Sequence, residues 1–178
     1  MFQMTPEAAF FSLLSQNEPQ AIATIKGNTG YPMLHGSARF FQTSYSGLLI
    51  EVEVSGLPDA EQNSASQQGS PASLNSPHFY GMHIHEAGDC TLPFDKTGNH
   101  YNPDQFPHPQ HAGDLPPLLS SNGYAFVIFY DGHLTIDDVA NRSLIIHSHP
   151  DDFTTQPSGN SGNKIGCGVI QHISSRKQ

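Results

Sequence analysis

The chain carries eleven histidines, against seven lysines and arginines together, two cysteines and no tryptophan, an excess that asks for a metal reading before any other. In Gly81-Met82-His83-Ile84-His85-Glu86 the alternation of a strand sets Met82 and Ile84 toward a core and projects His83 and His85 side by side from the other face. At that spacing both imidazoles can ligate one ion. Taken alone, the pair also fits two exposed strand histidines. Downstream, His100, His108, His111 and Asp114 fall within fifteen residues of Pro- and Gly-rich loop, and three imidazoles with a carboxylate are the donor set of a closed tetrahedral zinc site. His147 follows the apolar run Leu144-Ile145-Ile146, which delivers a sixth histidine from a distant strand. A solvated surface does not explain such a set, and metal binding does.

Elements that could position these side chains follow from periodicity. Residues 5–16 predict a short helix, with Thr5 as cap, Pro6 at the first helical position and Ala8, Ala9, Phe11 and Leu14 at near-helical spacing. Beyond it the period becomes two, most clearly where Ile50, Val52 and Val54 alternate with Glu51 and Glu53. Further strands are predicted around Ile22 and at Ser37–Thr43, His78–His85, Gly123–Tyr130, Arg142–Ser148 and Lys164–Ile173, with turn residues such as Asn122-Gly123 and Asp131-Gly132 between them. Seven or eight short strands without a crossover helix make an all-β antiparallel sandwich or flattened barrel. Residues 58–77 are polar and low in complexity and read as a flexible surface insertion, whereas the loop-like stretch 86–120 holds a cysteine, three histidines and Asp114.

At 178 residues the length fits a single domain, 1–178, with 1–19 as an N-terminal extension. Sixteen acids against seven bases give a net charge of -9, which leaves little to neutralise a run of phosphates and excludes nucleic acid as the expected partner. The longest apolar run, Ala125–Tyr130, is far too short to span a membrane. The N-terminal residues lack the basic start and apolar stretch of a secretory signal, so the expected compartment is cytoplasmic by default, or exported if a leader was removed.

The motifs together resemble the copper/zinc superoxide dismutase family over roughly residues 46–172. The resemblance rests on Gly81-Met82-His83-Ile84-His85-Glu86, Gly98-Asn99-His100-Tyr101-Asn102-Pro103, His111-Ala112-Gly113-Asp114-Leu115-Pro116, Ile146-His147 with Asp151 four residues later, and Gly166-Cys167-Gly168-Val169-Ile170. It implies an eight-stranded Greek-key barrel carrying copper and zinc under two long loops, and conversion of superoxide to oxygen and hydrogen peroxide by a monomer or homodimer. Carried over, copper falls to His83, His85, His100 and His147, and zinc to His100, His108, His111 and Asp114, with His100 bridging the two. Asp151 is then the carboxylate that accepts hydrogen bonds from one ligand of each metal, and Cys90 and Cys167 stand where the family's intrasubunit disulfide stands.

Two departures from the family pattern bear on function. Where the family has an arginine near copper to attract the anion, this chain has Lys164, which keeps the charge and loses the planar fork; weakened activity is the expectation. His149 is a further candidate for guiding the anion, with a surface loop histidine as the plainer reading. His108 and His111 stand only three positions apart, closer than in the family, and Pro107 and Pro109 flank His108 and limit how the backbone bends there. The alternative to an active enzyme is a copper- and zinc-binding module on the same fold with weak or no turnover.

Overall fold

The computed structural model describes residues 6–16, 18–58 and 78–173. Thr5 and all but the first residue of the expected 58–77 insertion lie outside the described residues. Among the described residues nine strands run in chain order: β1 (Ala21–Gly27), β2 (His35–Gln42), β3 (Leu48–Ser55), β4 (His78–Tyr80), β5 (Met82–His85), β6 (Leu118–Ser120), β7 (Tyr124–Asp131), β8 (Ser143–His147) and β9 (Lys164–His172). The α-helices α1 (Pro6–Gln16) and α2 (Ile136–Val139) and a short 3-10 helix at Asp95–Thr97 accompany them.

Seven strands form one antiparallel sheet in the order β5-β8-β9-β1-β2-β3-β7, and β4 pairs with β6. Because β3 pairs with β7 and β5 with β8, the connections cross over the ends of the sheet in Greek-key fashion. The strand predicted at His78–His85 is interrupted at Gly81, so β4 and β5 together count as one of eight strands, as the barrel reading expects. At that break the chain segment after β8 comes close. Gly81 N donates to His149 O at 2.8 Å, and a Cβ on residue 81 would sit 3.0 Å from Ser161.

Alternation fills the interior. Ile25, Phe40, Ile50, Val52, Val54, Met82, Ile84, Leu144, Ile146 and Ile170 are fully buried in one cluster, each worth about 1.5–3 kcal/mol relative to exposure. Helix α1 packs outside the sheet, where the Phe10 ring stacks on Tyr130 at 5.3 Å. Phe11, expected on the apolar stripe, is 75% exposed, because the inward face of α1 runs through its neighbour instead. Two elements carry too few residues to announce themselves by period. Strand β6 has three, and α2 has four, although the capping box of Thr135 with Asp138 marks where α2 begins.

Candidate metal centre

Strand register supplies three imidazoles of a first cluster. Met82 and Ile84 point into the core, which turns His83 and His85 to the opposite face of β5, and antiparallel pairing of β5 with β8 brings His147 beside them. The fourth, His100, comes from the loop between β5 and β6. That loop is tied to the strand by the backbone. Tyr101 N donates to Ile84 O, Ile84 N to Gly113 O and Gly113 N to Tyr101 O, each at 2.8 Å. Only glycine fits position 113, since a Cβ there would lie 2.3 Å from the Ile84 carbonyl oxygen. One donor atom from each of His83, His85, His100 and His147 falls within 4.8 Å of the others, and all four side chains are buried. His100, His108, His111 and Asp114 form a second set at the same spacing.

Hydrogen bonds decide which nitrogens are free. His85 Nδ1 donates to Gly98 O at 2.9 Å and His147 Nδ1 to Gly162 O at 3.3 Å, so each Nε2 keeps a lone pair. Those two Nε2 atoms face each other at 3.3 Å, acceptor against acceptor, a contact that a cation between them relieves. His83 donates through Nε2 to Asp151 Oδ2 at 2.7 Å, which leaves Nδ1 buried without a partner, and His100 Nε2 is likewise buried and unpartnered. Burial, followed by the neighbouring imidazoles, pushes His83 down to about 2. In His85 burial is again the main cause, and that ring also falls to about 2. Burial lowers His147 to about 4. Near neutral pH these rings are therefore uncharged, with lone pairs ready for a metal.

The second set has the same signature. His108 Nε2 lies 2.9 Å from Asp151 Oδ1, while its Nδ1 is buried without a hydrogen-bond partner 3.0 Å from Asp114 Oδ2, a nitrogen and an oxygen that one cation could engage together. His100 Nδ1 donates to Asp114 Oδ1 at 2.7 Å, and His111 Nδ1 lies 3.3 Å from Oδ2. Burial would raise Asp114, but the His100 hydrogen bond and the three surrounding imidazoles outweigh it and hold the carboxyl below its ordinary range. Tetrahedral donors at about 2.0–2.1 Å from one ion stand about 3.3–3.4 Å apart, so donor atoms already within 4.8 Å of one another need to close by about 1.5 Å at most to hold one. His100 belongs to both, Nε2 toward the first and Nδ1 toward the second.

Asp151 joins the two sets through its bonds to His83 and His108. Cys90 and Cys167 are disulfide-bonded, with Cα atoms 5.7 Å apart, and the bridge pins the start of the metal loop to β9. A cleft of about 420 Å³ opens above His85, His100 and His147, walled by Glu86, Pro157, Ser158 and Lys164. Half-buried Lys164 lines it and donates to Thr97 Oγ1 at 2.7 Å and Gly98 O at 3.0 Å. Burial lowers its pKa, and Asp95 offsets part of that. His149 is exposed and does not line the cleft, so it is the surface loop histidine of the plainer reading. The carbonyls of Gly98 and Gly162, which orient two rings, escaped the sequence reading because a backbone oxygen has no residue-type signal. Both glycines do have positive φ, at 75° and 77°.

The sequence profile described as Copper/zinc superoxide dismutase (SODC) matches residues 34–170. The chain is 31% identical to Superoxide dismutase [Cu-Zn] 1 of Aquifex aeolicus over 92% of its length and 95% of that protein's. It is 36% identical to Superoxide dismutase [Cu-Zn] 3 of Arabidopsis thaliana over 53% of the chain and 68% of that protein. It is also 33% identical to the human Copper chaperone for superoxide dismutase over 87% of the chain, which spans about half, 54%, of that longer protein. Barrel, paired donor sets, disulfide and profile agree, and the chain belongs to the copper/zinc superoxide dismutase family, whose metals are copper and zinc.

Proposed function

We propose that the protein is a superoxide dismutase in which His83, His85, His100 and His147 hold copper and His100, His108, His111 and Asp114 hold zinc. The observation that carries this reading is the presence of all four imidazoles in the first cluster, each with an assignable free nitrogen, beneath a cleft with a cation in its wall. Copper held by the first set would supply one-electron redox chemistry, and zinc held by the second would add a fixed charge without redox chemistry. The overall balance is two superoxide anions and two protons to one oxygen and one hydrogen peroxide.

The chain's own residues do the rest. His83, His85 and His147 are locked in orientation by Asp151, Gly98 and Gly162, so their donor nitrogens stay fixed through the cycle. Nε2 of His100 is the proton carrier: it takes up a proton in one half of the cycle and gives it to the departing peroxide in the other. Lys164 draws the anion into the cleft. Its Nζ is held by Thr97 and Gly98, which makes it a placed charge in a protein of net -9.

A second reading, a copper- and zinc-binding module with weak or no turnover, is favoured by Lys164 at the usual arginine position and by the likeness to copper chaperones. Superoxide consumption by the copper- and zinc-loaded protein, measured together with metal content, separates the two. Clear dismutation with one copper and one zinc bound, weakened by Lys164 but not abolished, is expected, and full metal loading with negligible turnover would establish the module instead.

A further inference from the structure

We infer that Gln156 is a positioning residue for the zinc site, holding His108 by the backbone N–H and C=O that the shortened loop around it leaves without a partner. The inference rests on the reading of the second cluster as a zinc site.

His108 stands between Pro107 and Pro109 and three positions before His111, inside a turn that Gln110 N closes on Pro107 O at 2.9 Å, and within that turn its own N–H and C=O meet no backbone partner. A buried peptide group without partners is costly, so its N–H and C=O must be satisfied from elsewhere. One side chain does both. His108 N donates to Gln156 Oε1 at 3.0 Å, and Gln156 Nε2 donates to His108 O at 2.7 Å, closing a two-point amide pair across 48 residues of sequence. The same segment grips the ring, through Asp151 Oδ1 at 2.9 Å from Nε2. Backbone and imidazole are thus fixed together, which directs the free Nδ1 toward Asp114 at 3.0 Å.

The segment is built to present both groups. Asp152 Oδ1 accepts from Thr154 N and Thr155 N at 2.9 and 2.7 Å, and Thr155 Oγ1 donates to Asp152 Oδ2 at 2.6 Å. Gly159 N donates to Thr155 O at 2.7 Å and Asp152 N to Gly159 O at 2.9 Å, so residues 151–159 close on themselves with Asp151 at one end and Gln156 at the crown. Gly159 has φ 65°, and a Cβ there would lie 2.0 Å from Asp151 Oδ1 and 2.7 Å from His108 Nε2, so only glycine leaves room for the grip. A glutamine carries both a donor and an acceptor at the tip of its side chain. Alanine has neither, and a carboxylate cannot donate to the His108 carbonyl.

The test compares the full chain with Gln156→Ala and Gln156→Glu, measuring zinc affinity against a chromophoric chelator, copper affinity, and the visible spectrum with Co²⁺ in the zinc position. Both variants should bind zinc about ten-fold more weakly, with copper affinity unchanged within about two-fold. The Co²⁺ bands should weaken as water replaces one imidazole. A general structural role would lower the unfolding temperature of the metal-free protein and leave that spectrum alone. Unchanged zinc affinity and an unchanged Co²⁺ spectrum in both variants would overturn the inference while leaving the zinc site intact. A parent protein that binds no zinc would instead overturn the site and the inference together.

Discussion

The two donor clusters share His100 but are built on opposite principles. In the first, three of four imidazoles stand on strands β5 and β8, and their neighbourhood is set by register within the sheet. In the second, all four donors lie in fifteen residues of one loop, and the most buried of them, His108, is held from a segment more than forty residues away. A strand fixes side-chain direction by its period. A loop has no such period, so in the second cluster distant contacts must place the backbone of His108 as well as orient its ring, whereas in the first they orient rings that the strands have already placed.

The largest effect should come from His147→Ala, which removes a strand-borne donor. Dismutation should fall by three orders of magnitude or more while one zinc per chain is retained. Equal loss of both metals would show that the clusters do not separate in this way. Next in size is the bridge. Replacing Cys90 and Cys167 together by serine frees a loop of 77 residues of separation, at a cost of about 4 kcal/mol in the chain-entropy model. Thermal unfolding should drop by about 10 °C, with zinc uptake hit harder than copper because the freed end leads into the loop-built cluster.

Asp151→Asn tests the link between the clusters. Its amide cannot accept from both His83 and His108 as the carboxylate does, so zinc affinity should fall about 10- to 100-fold. Copper affinity, supported by strand register, should fall less, and a larger loss of copper would reverse the comparison. Acid offers a measure without substitutions. His83, His85 and His147 have folded pKa values depressed by burial, so the unfolded chain binds more protons below about pH 6.5. The metal-free protein should therefore lose stability as pH falls through that value. A flat stability profile between pH 7 and 5 would show that these rings are not buried neutral.

Smallest is the expected effect of Lys164→Arg, about a two- to five-fold gain in dismutation at low ionic strength as the fork is restored. No gain would mean that the tether of Lys164 to Thr97 and Gly98 already places its charge adequately. Neither metal affinity should change, which separates steering in the cleft from support of either cluster.

By itself the sequence determined which residue types were available and on which face of a strand they stood. Alternation through Met82–His85 is local, and it was enough to put His83 and His85 on one face of a strand, while the grouping of six histidines into two donor sets followed from their number, their spacing and the resemblance to the family. Spacing also marked His108, His111 and Asp114, but it could not tell whether so short a loop brings them together. Only the tertiary structure decided that, because the partners are distant. Gln156 and Asp151 hold His108 across more than forty residues, and the carbonyls of Gly98 and Gly162, which leave no residue-type signal, choose the tautomers of His85 and His147. A donor's identity is written in one residue, whereas its free lone pair is set by whatever the folded chain brings to its other nitrogen.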